Sequence, residues 1–130
     1  LSNGFQNRWK TKALSTKKNV FEYLENIKGE PTAHLSGLKK VFLKNEDTNS
    51  KLTQFAHGTF APGEVCELHA HQTMDEFFYF MNGTGLYEID EEEIFLRPGT
   101  FLRIPAKSRH KLINNGNSDL EFVYFGIALD

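Results

Sequence analysis

Three histidines and one glutamate have the side-chain types and spacing to do chemistry. His69 and His71 are two residues apart, Glu76 follows after a short interval, and His110 lies further along the chain. In a β-strand, residues two apart point to the same side, so His69 and His71 would present both imidazoles to one face. Three imidazoles and a carboxylate suit a first-row divalent metal ion. Four protein donors leave two octahedral positions open, which a substrate, alone or with dioxygen or water, could occupy.

Short apolar runs between Pro and Gly turns make up the segments that must position these side chains. Pro62-Gly63, Asn82-Gly83 and Pro98-Gly99 are among the turn signals. The runs rich in Phe, Tyr, Ile, Val and Leu cover 34–44, 51–61, 76–81, 85–90, 93–97, 100–104, 109–114 and 119–128. Many short strands with regular turn signals predict an all-β sandwich or barrel. The acidic run Asp90–Glu93 is predicted to be a solvated hairpin turn.

The first third of the chain has a different pattern. Val20, Phe21, Leu24 and Ile27 repeat at helical spacing, which predicts a short helix over 16–28. The first nineteen residues carry five basic and no acidic side chains, and a solvated terminus is favoured over a nucleic-acid-binding arm. We therefore predict an N-terminal arm and short helix over 1–33 and a single barrel domain over 34–130.

Two motifs give the sequence a resemblance to a known family, the cupins. The first motif is matched at Gly63, His69, His71, Glu76 and Gly83, and the second at Gly99, Pro105, His110 and Asn114. Lys107 stands where the second motif has a glycine. The resemblance implies an antiparallel jelly-roll barrel with a metal ion inside its mouth. It also implies that His69, His71, Glu76 and His110 are the metal ligands.

Strand alternation predicts the wall of the pocket around the ion. If Glu76 and His110 point inward, the residues two and four positions further along do so too. Cys66 has the opposite parity to His69 and is interpreted as a packed thiol, while Lys107 could reach an anionic substrate from its loop. The predicted pocket is lined by Gln54, Met74, Phe78, Phe80, Lys107, Leu112 and Tyr124. Asn114 is predicted to hydrogen-bond nearby backbone groups.

Composition excludes several classes of protein. The chain has 130 residues, a net charge of −2 and a single cysteine, Cys66, which excludes an intramolecular disulfide framework. No apolar run approaches the length of a membrane span, and no secretory signal is visible, so a cytoplasmic location is the default expectation. A single helix at 16–28 does not make a helix-turn-helix, so we expect no nucleic-acid partner. Because no apolar run is long enough to span a bilayer, we also expect no membrane partner.

These observations predict a metal-dependent enzyme that acts on a small organic substrate, with iron, manganese, zinc or nickel as the ion. An oxygenase is slightly favoured because Phe78 and Phe80 would give an aromatic wall. A sugar or sugar-phosphate isomerase or epimerase, a decarboxylase and a lyase stay open, as does a binding module without turnover. We expect a homodimer, with the 16–28 segment and the 34–44 strand as candidate contacts.

Overall fold

A computed structural model describes residues 20–130. The basic arm and the first residues of the predicted helix, 16–19, lie outside this range. Ten strands run through the described residues: β1 (Glu30–Pro31), β2 (Leu38–Lys44), β3 (Leu52–Phe60), β4 (Val65–His69), β5 (Met74–Asn82), β6 (Gly85–Ile89), β7 (Glu92–Leu96), β8 (Thr100–Ile104), β9 (His110–Ile113) and β10 (Leu120–Ala128). Two short 3₁₀ turns, Leu24–Asn26 and Asn45–Asp47, complete the regular structure.

The strands form two antiparallel sheets that face each other. The larger sheet has the order β1-β2-β3-β10-β5-β8, and the smaller has the order β4-β9-β6-β7. Neighbours in these orders come from distant parts of the sequence, as in a jelly roll. The predicted all-β jelly-roll barrel is therefore confirmed. Its larger sheet begins at β1, just before the domain boundary at residue 34 that was predicted from sequence.

The core lies between the two sheets and is rich in aromatic rings. Phe60, Phe78, Phe80 and Phe122 come from the larger sheet, and Tyr87 faces them from the smaller one. Alternation explains this arrangement, because every second residue of β5 points inward and brings Phe78 and Phe80 to the same face as Glu76. The rings of Phe78 and Phe80 stack with centroids 5.8 Å apart.

The helix predicted for 16–28 is wrong over the residues that the structure describes. Only Leu24–Asn26 forms a single 3₁₀ turn there. Val20 and Phe21, two of the apolar residues at helical spacing, are exposed and do not contribute to a buried helix face. An isolated segment of this length does not hold a helix without tertiary packing. The Leu24 carbonyl instead accepts a hydrogen bond from Lys40 Nζ at 3.2 Å.

The turns follow the sequence signals more closely. Asp90 and Glu91 both have positive φ and form the predicted hairpin turn between β6 and β7. Glu92 and Glu93, the other half of the acidic run, belong to β7. Gly83 has φ +83°, and a Cβ there would lie 2.3 Å from the Asp119 carbonyl oxygen, so only glycine fits. Between residues 20 and 130, no helix is long and apolar enough to cross a bilayer.

Candidate metal centre

Three strands and one connecting loop bring the predicted donors to one end of the space between the sheets. His69 is the last residue of β4, and it pairs in register with His110, the first residue of β9. Glu76 lies near the start of β5 on the opposite sheet, and His71 sits in the loop between β4 and β5. The fold therefore delivers the donors from strand ends and a connecting loop.

His71, Glu76 and His110 form the inner group of donors. Glu76 Oε1 lies 3.2 Å from His71 Nε2 and 3.7 Å from His110 Nε2. One donor atom from each of the three residues lies within 4.8 Å of the other two. A bound ion could draw these atoms closer together. Glu76 is 9% exposed and His110 is 1% exposed, so the group sits in a largely buried position.

His69 belongs to a second, outer group. Its ring centroid lies 4.2 Å from that of His110 and 4.9 Å from that of His71. Its donor atom groups within 4.8 Å with those of His71 and His34. His71 is thus common to both groups. His34 had no role in the sequence interpretation, and no spacing pattern links it to the motif residues, because only the fold brings its loop to them.

Backbone carbonyls orient two of the imidazoles. His69 Nδ1 donates to the Glu67 carbonyl at 2.8 Å, and His110 Nδ1 donates to the Ser108 carbonyl at 2.9 Å. When Nδ1 carries the proton, Nε2 keeps its lone pair for an ion. Among the buried side-chain nitrogen and oxygen atoms of residues 20–130, His110 Nε2 is the one without a hydrogen-bond partner. A buried nitrogen left unpaired is costly, and a metal ion would satisfy it.

The protonation preferences of the histidines differ across the site. Burial lowers the pKa of His110 despite its hydrogen bond to Ser108. Burial and the neighbouring imidazoles of His69 and His71 also lower the pKa of His34. The hydrogen bond to Glu76 raises the pKa of His71. Lowered pKa values keep His34 and His110 neutral near pH 7, which is the form that binds metal ions.

A cavity of about 190 Å³ opens next to these donors. Of the predicted pocket residues, Gln54, Met74, Phe78, Leu112 and Tyr124 line it. Two others lie elsewhere. Phe80 is fully buried in the core beyond the cavity, and Lys107 is in the loop before β9, away from the cavity wall.

Cys66 and Lys39 are among the cavity residues that the predicted pocket does not include. Cys66 lines the cavity although its parity opposes that of His69, because the β4–β9 register shifts between these residues and reverses the alternation. Burial raises the pKa of its thiol to about 11. Lys39 also lines the cavity, and its Nζ donates to Gln54 Oε1 at 2.9 Å. The predicted strand 34–44 contained this lysine, but sequence alone did not indicate its direction.

The loop before β9 is tied directly to the loop that carries His71. Lys107 N donates to the His71 carbonyl at 2.6 Å, and Ala106 N donates to Asp75 Oδ1 at 2.8 Å. Lys107 has φ +74°, the left-handed conformation in which glycine is free of strain. The lysine therefore keeps the turn despite replacing a glycine of the motif.

Comparison with known proteins defines the class of this barrel. The sequence pattern of the Cupin domain family matches residues 56–126, more than half of the chain, and the chain belongs to the cupin family. An oxalate-binding protein of Thermotoga maritima is 29% identical over 87 residues, which are 67% of this chain and 72% of that protein. An uncharacterised protein of Methanocaldococcus jannaschii, MJ1618, is 38% identical over 61 residues. That alignment spans 47% of this chain and about half of MJ1618 (49%).

Solved structures share the fold at lower identity. The crystal structure of a predicted oxalate decarboxylase from Thermotoga maritima superposes with a TM-score of 0.78 at 24% identity. It covers 85% of this chain and 100% of that one. The polyketide cyclase RemF from Streptomyces resistomycificus has a TM-score of 0.72 at 12% identity, covering 82% of this chain and 78% of that one. These similarities establish the barrel architecture.

Proposed function

We propose that this chain is a metal-dependent cupin enzyme that acts on a small organic acid bound in the cavity. The observation that carries the proposal is the unpaired, buried His110 Nε2, which lies 3.7 Å from Oε1 of Glu76, a residue that lines the open cavity. A purely structural histidine would have a partner for this nitrogen.

In this proposal the chain supplies the donors and the cavity supplies the selectivity. His69, His71, Glu76 and His110 hold the ion, and iron, manganese, zinc and nickel all suit this donor set. The bound ion would polarise an oxygen of the substrate. The carbonyls of Glu67 and Ser108 fix the rings of His69 and His110, so these ligands need little rearrangement.

The substrate class follows from the cavity wall. The ammonium group of Lys39 is held at the cavity by Gln54 and offers a positive charge to a carboxylate. A volume of about 190 Å³ suits a compound of few heavy atoms. The relatives named for oxalate agree with a small dicarboxylic or keto acid. Stacked rings of Phe78 and Tyr124, with centroids 5.3 Å apart, form an apolar wall that favours oxygenase chemistry over isomerisation.

The two alternatives are a sugar-phosphate isomerase and a binding module without turnover. Lys39 is the one lysine or arginine among the described residues that line the cavity, which disfavours a sugar-phosphate isomerase that would need several cations. A binding module without turnover is supported by the relative from Thermotoga maritima that is named an oxalate-binding protein. Product formation separates that module from an enzyme.

The first test is metal analysis of protein purified without added metal, compared with a His71→Ala variant. We expect about one ion per chain in the parent protein and a sharp loss of occupancy in the variant, with circular dichroism unchanged. Equal metal content in both proteins would contradict the coordination scheme. Iron would favour the oxygenase, whereas manganese or zinc would favour a decarboxylase, lyase or isomerase.

The second test gives the metal-loaded protein a panel of small acids under air and under nitrogen. Oxygen uptake with product formation supports the oxygenase, and carbon dioxide release without oxygen uptake supports a decarboxylase. Binding measured by calorimetry without any product supports the binding module and contradicts an enzyme.

The homodimer stays a prediction. Both segments predicted as contacts expose apolar side chains, since Phe21 is 67% exposed and Leu38 is 57% exposed. Size-exclusion chromatography with light scattering at micromolar concentration tests it, and a monomeric mass would contradict the prediction.

A further inference from the structure

A fifth donor residue lies at the mouth of the cavity. We propose that His34 is an additional metal ligand on the outer side of the centre, a role that neither of the two motifs indicates. This inference rests on the metal centre proposed above. It changes the number of open positions at the ion, and therefore what can bind there.

Ring geometry places His34 against the donor set. Its centroid lies 4.0 Å from that of His69 and 6.3 Å from that of His71. One nitrogen of each of these three rings lies within 4.8 Å of the others. Three imidazole nitrogens at this spacing need only small side-chain rotations to reach a common ion. His34 is an exposed residue, so it approaches the ion from the solvent side.

The loop that carries His34 is held in place by a network of hydrogen bonds. Thr32 Oγ1 donates to the Ser36 carbonyl at 2.7 Å and accepts from Ser36 N at 3.1 Å. Ser36 Oγ donates to the Val65 carbonyl at 2.6 Å, which anchors the loop to β4, the strand that ends in His69. These hydrogen bonds therefore hold the backbone of the loop so that His34 lies beside His69.

A second anchor fixes the end of the same loop. Gly37 N donates to Glu64 Oε2 at 2.8 Å, and the other oxygen of Glu64 accepts from Ala61 N at 2.7 Å. Gly37 has φ +72°, and a Cβ there would lie 2.4 Å from the ring of Phe60. The backbone thus passes close over the barrel at this point, and a larger residue would push the loop and His34 away from the centre.

Five protein donors would leave one octahedral position open, where four leave two. A ligand that binds through a single oxygen could then enter directly. A ligand that chelates through two oxygens would have to displace His34, the most exposed of the five. Because His71 belongs to both groups of donors, we infer that one ion serves them all.

The test measures Co²⁺ affinity for metal-free protein by competition with a chromophoric chelator, together with the visible absorption spectrum of bound Co²⁺. We expect one ion per chain in the parent protein. In His34→Ala we expect affinity to fall about tenfold or more, and we expect the absorption bands to change because water replaces an imidazole nitrogen among the ligands. Leu35→Asn is the matched control, since it alters the same loop at a residue with φ +60° and keeps the imidazole.

Each result decides the inference. A weaker His34→Ala with an altered spectrum, beside an unaffected Leu35→Asn, supports His34 as a ligand. Affinity and spectrum equal to the parent protein overturn this inference and leave the four-donor centre intact. Two ions per parent chain contradict the single shared ion. Absence of Co²⁺ binding by the parent protein overturns the proposed metal centre and this inference with it.

Discussion

The two ends of the barrel interior are built on the same strands but have opposite chemistry. On β5, Glu76 faces the donor cluster and Phe80, four residues along on the same face, is fully buried among apolar side chains. On β9, His110 begins the strand and Leu112 continues into the core. One end is polar and open to a cavity, and the other is closed by Phe80, Leu96 and Leu120, which are completely shielded from solvent.

This difference shows what each sequence signal can decide. Alternation fixes which face of a strand a residue occupies, but it does not fix how deep in the barrel the residue lies. Phe80 has the right parity for the pocket and is nevertheless part of the closed end. Depth along the strand depends on where the opposite sheet packs, which is a property of the tertiary structure. The two ends should therefore respond differently to substitution.

The largest effect is expected at the closed end. Phe80→Ala removes a fully buried ring and should destabilise the fold by about 3–5 kcal/mol. Urea unfolding measures this loss, and Phe80→Leu should lose less because it leaves a smaller cavity. Metal affinity of the folded Phe80→Leu protein should equal that of the parent protein. A large loss of affinity would show that the two ends are not independent.

The converse substitution at the open end is Glu76→Gln. We expect metal affinity to fall by about 100-fold or more, since even residues that only orient a ligand contribute roughly 10–100-fold. Urea unfolding of the metal-free variant should change little by comparison with Phe80→Ala. Glu67→Gln is the control, because it removes the same charge from a side chain that is 82% exposed. Equal affinities in the two variants would remove Glu76 from the centre.

A smaller gain of stability is expected in the loop that closes the open end. Lys107 is held at φ +74°, a conformation that strains a residue with a Cβ. Lys107→Gly should stabilise the fold by about 0.5–1 kcal/mol, which thermal unfolding would register as a rise of roughly 2–4 °C. The hydrogen bond from this residue to His71 uses the backbone and is kept. A lower melting temperature would show that the lysine side chain contributes to the fold.

The smallest effect concerns His57, on the outer face of the larger sheet and away from both ends. It is 7% exposed, and its Nε2 lies 4.0 Å from Glu121 Oε1. Burial lowers the pKa of His57 below 6.5. The carboxylate of Glu121 raises this pKa and the ammonium group of Lys40 lowers it, but burial is the largest of the three effects. Below pH 6.5 the unfolded chain therefore binds a proton that the folded chain resists, so stability falls as the pH falls.

A comparison with His57→Gln isolates this contribution. Urea unfolding of metal-free protein between pH 7.5 and pH 5.5 should show a steeper loss in the parent protein than in the variant. All other ionisable groups are the same in both proteins, so their effects cancel in the difference. Parallel pH profiles would contradict a lowered pKa at His57.

Sequence alone predicted the strands well because alternation and turn residues are local signals. The prediction for Asn114 is also confirmed: its side chain donates to the Phe60 and Ser118 carbonyls and accepts from Gly116 N. On β3, the prediction that Gln54 lines the cavity is confirmed, and the strand pairs regularly with β10 from Gln54 to Gly58.

The features that the sequence did not predict depend on non-local structure. The helix predicted over 16–28 has helical periodicity in sequence, but among its described residues Val20 and Phe21 are exposed and only Leu24–Asn26 forms a 3₁₀ turn. Cys66 packs against the core as predicted, and a register shift that the residue types do not indicate also brings it to the cavity wall. His34 joins the donors through a loop whose anchors, Glu64 and Val65, lie about thirty residues further along the chain. Only the assembled fold shows such a contact.

The position of β10 has a consequence for synthesis on the ribosome. This strand is the last in chain order among the described residues, and it lies at the centre of the larger sheet, paired with β3 on one side and β5 on the other. Until Leu120–Ala128 has emerged from the exit tunnel, β3 and β5 each present an unpaired edge, and such edges invite aggregation. The nascent barrel thus stays vulnerable until its final strand is translated, and a chain that stops before Leu120 could not close it.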